Sequence, residues 1–176
     1  MLPGPTNVPE RVMNAMTRPI INHRGPEFHE LYDNLLKKLR YAFQTKNEVF
    51  ILTSSGTGAV ECAIGNIVSH GDKIAVPVNG VFSQRLKEKI ETFGGAPVEI
   101  PVEWGKAASP EQIADVIEEQ EVKAIAVVYN ETSTGVTMRD LDKLGRIAAE
   151  RDLLFIVDAI SILGGDELLV DKWGID

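Results

Sequence analysis

Cysteine is nearly absent from this chain: Cys62 is the single one in 176 residues. That excludes an internal disulfide framework and a cysteine-rich metal centre. Histidine is scarce as well, and His23, His29 and His70 lack the tight spacing of a zinc site. Positive charge is in deficit. Against 26 Asp and Glu stand 18 Lys and Arg, a net charge of -8, which argues against nonspecific nucleic-acid binding. No apolar run approaches the ~20 residues that a membrane span requires. The opening MLPGPTNVPERV has no basic stretch followed by an apolar one, so it does not read as a secretory signal, and a cytoplasmic location is expected.

What is present suits an ordinary globular domain: 44% of residues are hydrophobic and 25% charged, enough for a real core. Short apolar runs at 49–52, 74–78, 98–100, 124–128 and 153–157 read as strands buried on both faces. Between and before them lie expected helices at 27–43, 57–69, 82–93, 110–119 and 139–151. Leu31, Leu35, Leu39 and Phe43 share one face of the first, and Leu141, Leu144, Ile147 and Ala148 form a stripe on the last. Ser109, Pro110, Glu111 and Gln112 supply an N-cap, a proline in the first turn and an acid beside it. Strand and helix alternate, so the expectation is an α/β fold with a mostly parallel sheet flanked by helices. Residues 1–20, rich in Pro and Gly, read as an extended N-terminal arm, and 21–176 as one partial large domain.

Ligands of open parallel sheets bind at the carboxyl ends of strands. The run TSSGTGA at 53–59 follows one apolar run and opens a helix. Its backbone N–H groups and hydroxyls suit a phosphate, although a capped Gly-rich turn has the same composition. It is not a Walker A loop, since no lysine follows the second glycine. Asp158 closes the run at 153–157 and is either a loop or N-cap acid or a carboxylate held for a purpose. NETSTG at 130–135 gathers polar side chains at a third strand end, where a Ser/Thr-rich turn is the alternative. Together, a phosphate cradle, a polar cluster and a carboxylate around one crevice suit a phosphorylated aromatic cofactor whose ring nitrogen needs an anionic partner.

PGPTNVP, NHRGPEF, SSGTGAVE, YNETSTG, VDAISILGG and VDKWGID occur in this order along the chain. In combination they make the sequence resemble a class V aminotransferase of the alanine–glyoxylate or serine–pyruvate type, a pyridoxal 5'-phosphate enzyme of fold type I. The resemblance implies a cofactor phosphate loop at Ser55, Gly56 and Thr57, ring stacking by Phe82 and a bond from Thr132 to the phenolic oxygen. It further implies pairing of Asp158 with the pyridinium nitrogen, Ile160 on the opposite ring face, and Gly4 and His23 on the substrate side. Related desulfurases usually carry histidine at the stacking position, so Phe82 points away from them. Cys62 is expected to be packed and inert.

The resemblance also implies parts that are expected to lie outside this chain. These are the Schiff-base lysine, the arginine that grips the substrate carboxylate, and the last strands of the sheet. In fold type I the spatial order is first, seventh, sixth, fifth, fourth, second, third strand. A chain holding the first five would have its first strand parted from the others and unpaired edges exposed. The expected activity is transamination between a small amino acid, such as alanine or serine, and glyoxylate or pyruvate. Completion by the C-terminal portion, or by a second polypeptide, would be needed, in a homodimer-type assembly. A noncatalytic cofactor-binding or scaffolding subunit is the alternative.

Overall fold

The computed structural model describes residues 4–176. In chain order the elements are α1 (Glu10–Met16), α2 (Pro26–Phe43), α3 (Gly56–Ile67), β1 (Lys73–Val78), α4 (Val81–Thr92), β2 (Ala96–Pro101) and α5 (Pro110–Glu119). They continue with β3 (Ala124–Val128), β4 (Asn130–Glu131), β5 (Val136–Thr137), α6 (Leu141–Glu150) and β6 (Leu154–Asp158). A four-stranded sheet has the order β2-β1-β3-β6 and is parallel throughout. This is the third, second, fourth and fifth apolar runs side by side, the order that the fold type I resemblance implies.

Alternation along the central strands builds two cores. Ile74, Val76 and Val78 of β1, with Ala124, Ala126 and Val128 of β3, face Ile64 of α3 and Leu86 and Ile90 of α4. The intervening Ala75, Ile125 and Val127 face Ile113 and Ile117 of α5 and Leu141, Leu144 and Ala148 of α6. Side chains of successive strand residues point to opposite faces, so fully apolar strands demand a helical layer on each side. The cap read for α5 is formed. Ser109 Oγ accepts from the Gln112 N–H at 3.2 Å, and Gln112 Oε1 accepts from the Ser109 N–H at 2.9 Å. No helix among the described residues is long and apolar enough to cross a membrane.

The structure corrects the sequence reading at three places. The arm is not wholly extended: α1 follows Pro9 within it, carries Glu10 in its first turn, and buries none of its residues. Glu10 at its positive end favours the first turn. Residues 1–3 of that arm lie outside the described residues. The run at 49–52 forms no strand, and Phe50 is 82% exposed. A strand needs a neighbour to satisfy its backbone, and none of the described strands lies beside it. Cys62, expected to be packed, is exposed, because α3 turns Val60, Ile64 and Ile67 to the core instead. The polar segment 130–135 does contain a turn, at 132–135, which closes a small hairpin with Asn130 opposite Thr137 and Glu131 opposite Val136.

The stripe on α2 is likewise largely uncovered. Leu31 and Leu35 are exposed and no residue of the helix is buried, although Phe43 at its end packs on the α5–α6 side of the core. Asp171 holds the following turn, accepting from Thr45 Oγ1 and from the Lys46 N–H. At the far side of the sheet, the outer edge of β6 is met at Phe155, whose carbonyl accepts from the Asp176 N–H at 2.9 Å.

Candidate functional site

The carboxyl ends of β1, β3 and β6 converge with the start of α3. Directly after β1 the chain turns at Asn79 and Gly80 into α4, which carries Phe82 in its first turn. After β3 comes the β4–β5 hairpin, whose loop carries Thr132. Asp158 ends β6 opposite Val128 of β3, and Asp158 Oδ1 accepts from the Ile160 N–H at 3.0 Å. Ser55 is the N-cap of α3, with no bond from its side chain to the helix. The first N–H groups of that helix therefore have no intrahelical partner and gain none from the cap side chain.

A cavity of about 160 Å³ is lined by Gly56, Thr57, Phe82, Arg85, Lys89, Asp158 and Ile160, with Val60 and Leu86 beneath them. Five of the residues singled out in the sequence, on three separate segments, thus border one space. Ser55 precedes the lining residues directly. Thr132 is half-buried in the hairpin loop and is not part of the lining. Gly4 and His23 are exposed and lie outside it. A larger apolar hollow of about 390 Å³ shares Gly56, Asp158 and Ile160 and runs along β6 toward Val170 and Ile175.

Close packing joins the first and third of these segments. A Cβ on Gly56 would come within 1.6 Å of Ile160 Cδ1. Glycine there lets the backbone of α3 approach the turn after β6. The Arg85 guanidinium lies over the Phe82 ring, 5.3 Å from its centroid, a cation–π contact one helical turn along. Lys89 is paired with Glu61.

Two carboxylates set the electrostatics, in opposite directions. Burial pushes the Asp158 carboxyl above its ordinary value of 3.8; the Ile160 N–H opposes this and the charge of Glu131 adds to it. Glu131 is wholly buried. Burial is the largest single influence on it and would raise its carboxyl. Bonds from the Ser133 hydroxyl and from the Ser83, Phe82 and Ser133 N–H groups together outweigh burial and hold it below its ordinary value of 4.5.

Glu131, Ser83 and Ser133 were not singled out as site residues. The available signals were a carboxylate two residues past the tyrosine that follows the fully apolar β3, and a serine three residues after Gly80. Arg85 and Lys89 were missed too; their spacing of three and seven from Phe82 places all three on one helix face. Among the described residues no group of three or more His, Cys, Asp or Glu is arranged to hold a metal ion.

A three-layer parallel α/β chain with a cavity at its strand ends is the architecture of many cofactor-dependent transferases. The class-V aminotransferase family model matches residues 2–176, and the chain belongs to that family. Over its whole length it is 41% identical to an uncharacterised aminotransferase of Methanocaldococcus jannaschii, 46% of which is covered. It is 38% identical to the small subunit of a soluble hydrogenase from Synechococcus, again over the whole chain and 47% of the relative. Among solved structures it resembles alanine–glyoxylate aminotransferase from Nostoc, with a TM-score of 0.96 and 34% identity over 99% of this chain and 46% of that one. The chain spans about half the length of the curated relatives it matches.

Proposed function

We propose that this chain is the cofactor-holding part of a pyridoxal 5'-phosphate-dependent transaminase. The observation that carries this reading is the single cavity bordered by Gly56, Thr57, Phe82, Asp158 and Ile160. The residues fit the group. Asp158 is a partly desolvated carboxylate that accepts a bond from the Ile160 N–H and has no ion pair among the described residues, so a pyridinium nitrogen suits it. The start of α3, with the Ser55 and Thr57 hydroxyls, suits a phosphate dianion.

When bound, pyridoxal phosphate supplies an electron sink for an amino acid that has lost its α proton. Around it this chain's residues have separable tasks. Ser55, Gly56 and Thr57 hold the phosphate at the positive end of α3. Phe82 and Ile160 would lie against the ring, and Thr132 would reach the phenolic oxygen from the hairpin loop. Asp158 would face the ring nitrogen and favour its protonated form, and that cation would in turn favour the ionised carboxylate against the effect of burial. Gly4 and His23 would belong to the substrate side by the family resemblance; both lie outside the lining of this cavity.

The substrates that suit this reading are a small amino acid, alanine or serine, and a small 2-oxo acid, glyoxylate or pyruvate; the Nostoc structure's name carries two of them. Activity resides in the assembly completed by the C-terminal portion or a second polypeptide, which brings the Schiff-base lysine. A noncatalytic, cofactor-holding role is the second reading for the chain by itself. It is favoured by Lys89, the lysine at the cavity, being engaged by Glu61.

The test is spectroscopic. The chain is co-expressed with the C-terminal remainder of the Methanocaldococcus relative, and pyridoxal phosphate is added. A visible band that shifts when alanine or serine is supplied supports transamination; an assembly that binds no cofactor removes the reading. Asp158→Asn cripples transamination while sparing much of the cofactor affinity, and Ser55→Ala chiefly weakens cofactor retention. Equal and negligible effects of the two overturn the site assignment.

A further inference from the structure

We infer that Glu131 is a positioning residue for this site: its buried carboxylate ties the first turn of α4, which carries Phe82, to the loop that carries Thr132. The inference rests on the cofactor reading above and adds a residue to it that touches no cofactor.

The tie is made of named bonds. Glu131 Oε1 accepts from the Phe82 N–H at 3.2 Å, and Oε2 accepts from the Ser83 N–H at 2.8 Å. On the loop side, Oε1 accepts from the Ser133 N–H at 3.1 Å and from the Ser133 hydroxyl at 2.6 Å. Ser133 Oγ in turn accepts from the Val81 N–H at 2.9 Å. One carboxylate therefore satisfies opening N–H groups of α4 and, with the same atom, closes the loop. Its side chain is contributed from another element, so the cap is tertiary and fixes where α4 begins relative to the hairpin.

Phe82 and Thr132 are each next in sequence to a residue locked in this cluster, Ser83 and Glu131. Their backbones cannot move apart without breaking bonds to an ionised, wholly buried group, which is far costlier than losing a neutral bond at the surface. The hairpin is linked onward to the turn after β6, because Ser161 Oγ donates to the Asn130 carbonyl at 3.0 Å. Hence the stacking residue, the hydroxyl and the Asp158 turn share one framework, with Glu131 at its centre. Preorganisation of this kind is what a site built from loops needs in order to hold a ring in one orientation.

The experiment compares wild type with Glu131→Gln, which keeps the size but turns an N–H donor toward amide donors, and with Ser133→Ala, which keeps the carboxylate. Backbone hydrogen exchange is read on the cofactor-free 176-residue chain. Pyridoxal phosphate affinity and the circular dichroism of its bound band are read on the completed assembly. Glu131→Gln is expected to speed exchange at Phe82 and Ser83 while β1 and β3 amides keep their protection. It should also weaken cofactor binding by about tenfold and diminish the induced signal, with Ser133→Ala intermediate, as for loss of a charge-assisted bond. Unchanged exchange at Phe82 and Ser83 overturns the inference. So does loosening spread equally over β1 and β3, which marks a merely structural residue. Local loosening with unaltered affinity and dichroism also overturns it. A wild-type assembly that binds no pyridoxal phosphate overturns the proposed function as well, and is told apart by its own titration.

Discussion

Gly80 and Glu131 meet with no room for a methyl group between them: a Cβ on Gly80 would sit 2.4 Å from Glu131 Cδ and 2.6 Å from Ser133 Oγ. Neither neighbour is free to yield, since both are bound to each other and to α4. Gly80→Ala is therefore expected to destabilise the protein by about 1–3 kcal/mol, the usual range for overpacking. Urea unfolding checks it, with a lower midpoint and an unchanged slope as the expected result.

Gly56→Ala should behave differently although the approach is closer. The obstructing atom is the tip of Ile160, which is 60% exposed and can rotate away. Stability should change by less than about 1 kcal/mol, as for surface substitutions with a flexible neighbour. The displaced Ile160 would nevertheless intrude on the cavity, so pyridoxal phosphate affinity should fall. Gly56→Ala with Ile160→Ala should recover part of it, and a titration of both variants decides.

The two site carboxylates give stability slopes of opposite sign. Asp158 has its carboxyl raised by burial, so its contribution is present below 3.8 and is lost as pH rises through the raised value. Asp158→Asn removes that loss, and without cofactor it should melt a few degrees higher than wild type at neutral pH. Glu131 is lowered by its hydrogen bonds, so its contribution is present above 4.5 and is lost as pH falls through the lowered value. Wild type should lose stability on that acid side more steeply than Glu131→Gln. Unfolding midpoints measured across an acid-to-neutral series separate the two.

Ser109→Ala should cost about 1 kcal/mol through loss of the α5 cap. The helix lies on the side of the sheet away from α3 and α4, so cofactor affinity should be unaffected. Thermal unfolding paired with a cofactor titration checks both halves.

Much of the fold was legible because its signals are local. The 110–119 helix is observed as Pro110–Glu119, where a cap, a proline and an acid mark the start. The strands at 74–78 and 124–128 are recovered because every one of their residues is buried. What failed depends on neighbours in space. The run at 49–52 has strand composition, but composition cannot supply a pairing partner. Glu131 sits in a polar run that reads as solvated loop, and only the folded chain brings Ser83 and Ser133 around it. Asp158 was found through its position at a strand mouth and through the family resemblance; the charge of Glu131 acting on it was invisible from spacing alone.

The rim at β6 has a consequence for handling. The sheet stops on LFIVD, a strand that carries neither lysine nor proline, and Asp176 covers it at Phe155 alone among the described bonds. Such a border accepts any extended segment offered to it, a second copy's included. For the 176-residue chain by itself, this edge is expected to promote self-association that rises with concentration, and a segment that pairs with β6 should suppress it.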